Sequence, residues 1–136
     1  MHDIILINCD GGSRGNPGPA ACGVVIWDDK HNKIESFGER IGVATNNVAE
    51  YQGLIRALKL AAKHTKKTVR IFMDSELVLC QVTGKYSVKK AHLKLLCEEV
   101  KKLAAVFETV EYKHVPREDK YQVEADRMVN DALEGA

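Results

Sequence analysis

The sequence predicts an α/β fold: a five-stranded mixed sheet, three antiparallel strands followed by parallel ones, flanked by helices. Three observations predict it. Residues 4–10 form an apolar run that ends in the carboxylate Asp10 and passes directly into turn residues. Two more β-rich runs follow on short polar connections, which makes an antiparallel meander. The fourth β-rich run is reached through a helix, so it should lie parallel to the strand it joins, by a right-handed crossover.

The first strand, residues 4–10, places a charge at the end of an apolar run. Burying an unpaired carboxylate costs several kcal/mol or forces it to protonate, so Asp10 either starts a turn in water or faces a cation. The next nine residues hold four glycines and two prolines, turn chemistry from the first of them, with amides that can approach a ligand closely. A phosphate cradle is excluded: no Gly-Lys-Ser/Thr closes the run, and residues 21–28 read as a strand rather than a helix. The second strand is expected over residues 22–27 and the third over 33–41.

Thr45, Asn46 and Asn47 are helix-starting residues, and Val48, Tyr51, Leu54, Ile55, Leu58, Ala61 and Ala62 recur at helical spacing, to about residue 64. Glu50 falls in the expected first turn, where it either complements the helix dipole or is available for chemistry. The fourth strand, residues 68–73, again ends in a carboxylate, Asp74, with Ser75 and a helix over 76–82 behind it. If this strand pairs with the first, Asp10 and Asp74 leave adjacent strand ends on one edge of the sheet; otherwise Asp74 is a helix cap. Gly84, Lys85 and Tyr86 break the chain, and Leu93, Leu96, Cys97, Val100, Leu103, Ala104 and Phe107 mark a further helix. Lys85, Lys89, Lys90, Lys94, Lys101 and Lys102 around it are either solvated surface or a place for phosphates. A fifth strand over 109–115, a polar loop over 116–120 and a last helix over 122–133 complete the order, with Asp126 beside the apolar stripe of that helix.

Length and composition set the frame. The 136 residues suit one domain, spanning 1–136, and 45% apolar with 29% charged residues suits an ordinary globule. Twenty basic and nineteen acidic residues leave a net charge of +1, which argues neither for nor against a polyanionic partner. The four cysteines lack zinc spacing and read as buried small hydrophobes of a reducing compartment. No signal peptide and no apolar run near the ~20 residues of a membrane span is seen, so the expectation is a cytoplasmic protein with no membrane partner.

Four acids, Asp10, Glu50, Asp74 and Asp126, stand at two strand ends and near two helix starts. Gathered together they would raise one another's pKa, unless hard divalent cations with a preference for oxygen neutralise them. Two such ions ~3.5–4 Å apart suit phosphoryl displacement by water.

The segments Cys9-Asp10-Gly11-Gly12-Ser13-Arg14-Gly15-Asn16-Pro17-Gly18-Pro19, Thr45-Asn46-Asn47-Val48-Ala49-Glu50-Tyr51, Asp74-Ser75-Glu76-Leu77-Val78 and Glu124-Ala125-Asp126-Arg127 resemble the four signature blocks of type 1 ribonuclease H, in order and over nearly the whole chain. The resemblance implies a ribonuclease H-like fold and an endonuclease that cuts the RNA strand of RNA/DNA hybrids, leaving 5′-phosphate and 3′-hydroxyl ends; a monomer is the expectation, although the sequence itself does not fix the oligomeric state. It implies two Mg2+ or Mn2+ ions per active site, with Asp10, Glu50, Asp74 and Asp126 as ligands and Asp10 and Asp74 touching both ions. Gly11, Gly12, Asn16, Asn46 and Asn47 match residues lining the minor groove, where 2′-hydroxyls distinguish RNA from DNA. Thr45 matches a residue that holds a phosphate of the DNA strand. One of Asn46 and Asn47 is also expected to cap the helix.

Three departures from the family pattern matter. A basic, tryptophan-containing handle is replaced by one lysine-rich helix and Tyr86, which implies weaker hybrid affinity or another substrate-binding element. The loop before the last acid carries Arg117 in place of a mobile histidine, with His114 earlier on a strand; Arg117 substitutes for it electrostatically without carrying a proton. Glu76 stands where an uncharged amide is common, and either repels a phosphate or tunes contacts. The alternatives are a non-catalytic hybrid-binding module of the same fold, and another nuclease or transposase on this scaffold acting on DNA.

Overall fold

In the computed structural model, which describes residues 1–135, the elements run β1 (Ile4–Ser13), β2 (Gly18–Trp27), β3 (Lys33–Ala44), α1 (Asn46–Ala61), β4 (Thr68–Met73), α2 (Glu76–Val82), α3 (Ala91–Ala104), β5 (Thr109–His114) and α4 (Gln122–Leu133). The sheet order is β3-β2-β1-β4-β5. The β1/β2 and β2/β3 pairs are antiparallel and the β1/β4 and β4/β5 pairs parallel, as the order of elements predicts.

Side chains alternate across the pleat, so each face of the sheet buries its own set. Ile5, Ile7 and Cys9 of β1 and Val69, Ile71 and Met73 of β4 pack against Tyr51, Leu54 and Leu58 of α1 and Leu93 and Val100 of α3. Each such fully buried aliphatic side chain contributes about 1.5–3 kcal/mol. The opposite face carries a smaller cluster, Leu6, Val25, Trp27 and Ala125, beneath α4. There α4 lies directly on the sheet: a Cβ on Gly23 would come within 2.5 Å of the Ala125 carbonyl oxygen. The four thiols are free, with Cys9, Cys22 and Cys97 buried and Cys80 half-buried. Among the described residues no helix is long and apolar enough to cross a membrane.

The structure corrects several expected boundaries. β1 does not end at Asp10 but continues through Gly11, Gly12 and Ser13, which pair with Cys22, Ala21 and Ala20 of a correspondingly longer β2. Composition marks glycine and proline as turn formers, yet ladder hydrogen bonds outweigh that local preference, and the true hairpin tip is residues 14–17. β3 likewise runs to Ala44, with Gly42 at φ 82° beside a register shift. α1 begins at Asn46 and stops at Ala61 rather than 64, with no acid in its first turn, so Glu50 lies a turn inside the helix and the dipole does not account for it. Phe107, grouped with α3 by spacing, is buried beyond the end of that helix.

Candidate active site

The register of the parallel pair places the first two acids. The last rung of β1 on β4 joins Asn8 to Phe72. Asp10 and Asp74 each follow two residues later, so both project from the same edge and, by the strand period of two, on the α4 side. Asp74 is not the cap of α2. That role belongs to Ser75, whose Oγ accepts the Val78 N–H at 3.3 Å, leaving the Asp74 carboxylate uncommitted to the helix.

Glu50 is delivered by close packing. A Cβ on Gly11 would lie 2.0 Å from the Ala49 carbonyl oxygen and 2.5 Å from the Glu50 nitrogen, and one on Gly53 would lie 2.5 Å from the Asp10 carbonyl oxygen. Only glycine at these points lets the α1 backbone settle on β1 and carry Glu50 to the level of Asp10. Asp126 comes from the opposite face on α4, its carboxylate accepting a hydrogen bond from Asn130 Nδ2 at 3.2 Å.

Asp10, Glu50, Asp74 and Asp126 thus line one cavity of about 390 Å³ together with Gly11, Gly12, Ser13, Arg14, Asn46, Arg117, Val129, Asn130 and Leu133. Burial, and then the charge of Asp74, push the Asp10 carboxyl up to about 8, although the Gly11 N–H donates to its Oδ1 at 2.9 Å. Burial likewise pushes Glu50 up to about 7 against a hydrogen bond from Ser75. Asp74 is raised by burial, its own backbone amide and the Arg117 guanidinium pull it back, and Asp126 adds to the rise. Among the described residues no three such ligands gather on one point; the acids are spread around the cavity wall. An all-oxygen anionic donor set in which Asp10, Glu50 and Asp74 are lifted by burial and then by neighbouring carboxylates fits a hard divalent cation, which would replace the protons that otherwise neutralise these three.

The remaining predicted residues divide. Asn16 and Asn46 brace the hairpin tip against α1: Asn16 Oδ1 accepts the Asn46 N–H at 3.0 Å, and Asn46 Oδ1 accepts the Ser13 N–H at 2.9 Å. Among the described residues neither carboxamide NH2 group has a protein acceptor. Neither asparagine caps α1, contrary to expectation; Thr45 does, its Oγ1 accepting the Val48 N–H at 3.2 Å. Asn47 lies outside the acidic cavity and lines a neighbouring hollow of about 250 Å³ with Ser87, Lys89 and Lys90. Glu76 is exposed on the first turn of α2 and is not part of the cavity wall. Arg117 reaches the cavity, whereas His114 ends β5 outside it, its Nε2 3.2 Å from the Asp74 carbonyl oxygen.

Sequence reading did not assign Arg14 or Asn130. Arg14 stands in the glycine motif itself and is held loosely by Asn130 at 3.4 Å and Glu134 at 3.5 Å. Asn130 follows Asp126 by four residues, the spacing that puts two side chains on one helix face, and that was the available signal.

The reverse transcriptase-like family profile matches residues 8–132. The structure superposes on the ribonuclease H1 of the halophilic archaeon Halobacterium salinarum with a TM-score of 0.93, at 37% identity, covering 98% of this chain and 99% of that one. This chain belongs to the type 1 ribonuclease H family. Within it, LC11 ribonuclease H1, obtained from compost and solved in complex with an RNA/DNA hybrid, aligns with a TM-score of 0.89 and 41% identity over 96% of each chain. The bifunctional protein Rv2228c of Mycobacterium tuberculosis is 43% identical over 133 residues, 97% of this chain but 36% of that protein. The chain therefore spans about a third of the length of that relative. The fold class and the five-stranded mixed sheet are those of ribonuclease H structures.

Proposed function

We propose that this chain is a divalent-cation-dependent endoribonuclease that hydrolyses the RNA strand of RNA/DNA hybrids, leaving 5′-phosphate and 3′-hydroxyl ends. The observation that carries the reading is the convergence of Asp10, Glu50, Asp74 and Asp126 on one cavity, in a family with a member solved on a hybrid. These four carboxylates would hold two Mg2+ or Mn2+ ions, Asp10 and Asp74 contributing to both. When bound, such ions supply charge neutralisation, an activated water and stabilisation of the leaving oxygen. Asn130 orients Asp126. Arg117 sets positive charge beside Asp74 without carrying a proton.

Recognition of the hybrid falls to the rim. Gly11 and Gly12 present a surface without side chains, and the NH2 groups of Asn16 and Asn46 can donate to 2′-hydroxyls and base edges of a minor groove. Thr45, which uses an oxygen lone pair for its cap, keeps its O–H to donate to a phosphate of the DNA strand. Asn47 with Lys89 and Lys90 offers a further place for a phosphate. The enzyme acts as a monomer in this reading.

A cleavage panel tests it: RNA/DNA hybrid, a DNA duplex with one ribonucleotide, double-stranded RNA and DNA, each with Mg2+ and with Mn2+. The expected result is cutting of the hybrid's RNA strand, abolished by Asp10→Asn with the fold intact. Hybrid bound but left uncut with both metals would establish a non-catalytic binding module instead, and preferential cutting of duplex DNA would establish a DNA nuclease.

A further inference from the structure

β1 and α4 are joined beside the cavity by a hydrogen-bonded chain that has no part in the chemistry above. The Trp27 indole N–H donates to Asn8 Oδ1 at 2.9 Å, Asn8 Nδ2 donates to Gln122 Oε1 at 3.0 Å, and Gln122 Nε2 donates to the Cys9 carbonyl at 2.9 Å. Gln122 is completely buried and Asn8 is 2% exposed. Both ends of the chain fix its direction, because an indole nitrogen only donates and a backbone carbonyl only accepts. Neither carboxamide can turn over without setting donor against donor in a place that water does not reach.

The geometry relates this chain to the acids. Asn8 and Asp10 are two residues apart on one face of β1, about 6.6–6.8 Å along the strand. Gln122 and Asp126 are four residues apart on one face of α4, about 6 Å along the helix. The two elements run alongside each other in the same direction: Gly23, the register partner of Asp10, meets Ala125, and Gly12 meets Val129 one turn later. One helical turn therefore matches one strand repeat. The hydrogen bond between Asn8 and Gln122 is repeated one step on as the juxtaposition of Asp10 and Asp126.

Resting on the reading of the cavity as a divalent-cation nuclease site, we propose that Gln122 is a positioning residue. Its bridge between Asn8 and the Cys9 carbonyl sets where Asp126 stands opposite Asp10, and hence how tightly the cavity binds a cation. A rotation or slide of α4 would break both bonds of Gln122 and strand the buried Asn8 Nδ2 and Cys9 carbonyl, so the chain permits one placement of the helix. A purely apolar contact at this point would tolerate several.

The test is calorimetric titration of the metal-stripped protein with Mn2+ alone, alongside steady-state cleavage of a hybrid. Gln122→Met keeps length and volume but removes both bonds; Mn2+ affinity should fall roughly 10–100-fold, the range seen when groups supporting metal ligands are lost. At fixed Mn2+ kcat should fall while KM for the hybrid stays, and added Mn2+ should restore part of the rate. Trp27→Phe, which breaks the far end of the chain without touching α4, should weaken affinity by a smaller factor than Gln122→Met. Val25→Ala, in the apolar cluster under the same helix, should lower the unfolding midpoint and leave Mn2+ affinity unchanged. Gln122→Met that loses stability as Val25→Ala does, yet binds Mn2+ within twofold of the wild type, overturns the proposal. If Gln122→Met does not fold, an unaltered affinity in Trp27→Phe overturns it equally. Wild-type protein that binds Mn2+ but leaves hybrid uncut defeats the nuclease reading alone, and the calorimetric comparison still decides the role of Gln122.

Discussion

Asp10 and Asp74 stand level across the parallel pair of β1 and β4, each two residues past the rung that joins Asn8 to Phe72. Neighbouring strands lie about 4.8 Å apart, so two carboxylates held at this level repel one another in a partly water-free setting. Their predicament sets the behaviour of the metal-free protein.

Stability without metal should fall as pH rises. Asp10 and Glu50 titrate at about 8 and about 7 in the folded chain, against ordinary values near 4. Between these limits the folded state binds protons that the unfolded state has released. The stabilisation is therefore complete below pH ~4 and is lost as pH rises through 7 and 8, by an amount on the order of a few kcal/mol. Urea unfolding in chelator from pH 5 to pH 9 measures this; a midpoint that does not decline would contradict the burial of these acids. Asp10→Asn should flatten the decline.

Divalent cation should reverse that loss. A ligand that binds only the folded state adds about 2.7 kcal/mol at a hundredfold excess over its Kd. The rise in Tm on adding Mg2+ or Mn2+ should be larger at pH 8.5 than at pH 5.5, because protons compete with the metal at low pH. Chelator should return Tm to its starting value. An equal rise at both pH values would detach metal binding from these carboxyls.

Gly11→Ala should damage both fold and site. Its new methyl would lie 2.0 Å from a backbone oxygen of α1, which cannot swing aside as a flexible side chain would. Overpacking of this kind costs about 1–3 kcal/mol or more, and relief by lifting α1 also withdraws Glu50 from the cavity. The variant should unfold at lower urea and lose cleavage even where it remains folded. Gly12→Ala is the control for stability alone, since its Cβ would meet Val129 at an ordinary 3.7 Å.

Arg117 should reveal itself through pH rather than through loss of fold. Burial lifts the Asp74 carboxyl, and the guanidinium of Arg117 holds it partly down. In Arg117→Ala that restraint is gone, so the acid limb of the pH–rate profile should move to higher pH. Arg117→Lys keeps the charge and should keep the limb in place. A limb that moves equally in both variants would assign Arg117 a role other than its charge.

Much of this arrangement is legible in the chain itself. The order of elements, the meander and the parallel crossover followed from apolar runs and their spacing, and the four signature blocks pointed to Asp10, Glu50, Asp74 and Asp126. Boundaries near glycine depart from the local pattern, because Gly11, Gly12 and Gly18 look like loop residues locally and become strand only through pairing. Local preference offers Asn46 or Asn47 as the cap of α1, but the cap is Thr45, since Asn46 is drawn off to Ser13 across the hairpin tip. Glu50, at a helix start by pattern, sits a turn inside α1.

What the sequence determined by itself is the local chemistry: periodicity chooses helix or strand within a few residues, and a motif specifies which side chains are carboxylates, amides or glycines. What only the tertiary structure decided is the set of distances between segments far apart in the chain. The level of Asp10 against Asp74 comes from strand register, the nearness of Glu50 from a helix resting on Gly11, and the placement of Asp126 from a helix pinned through Gln122. Those distances arise from the packing of whole elements, and no stretch of neighbouring residues contains them.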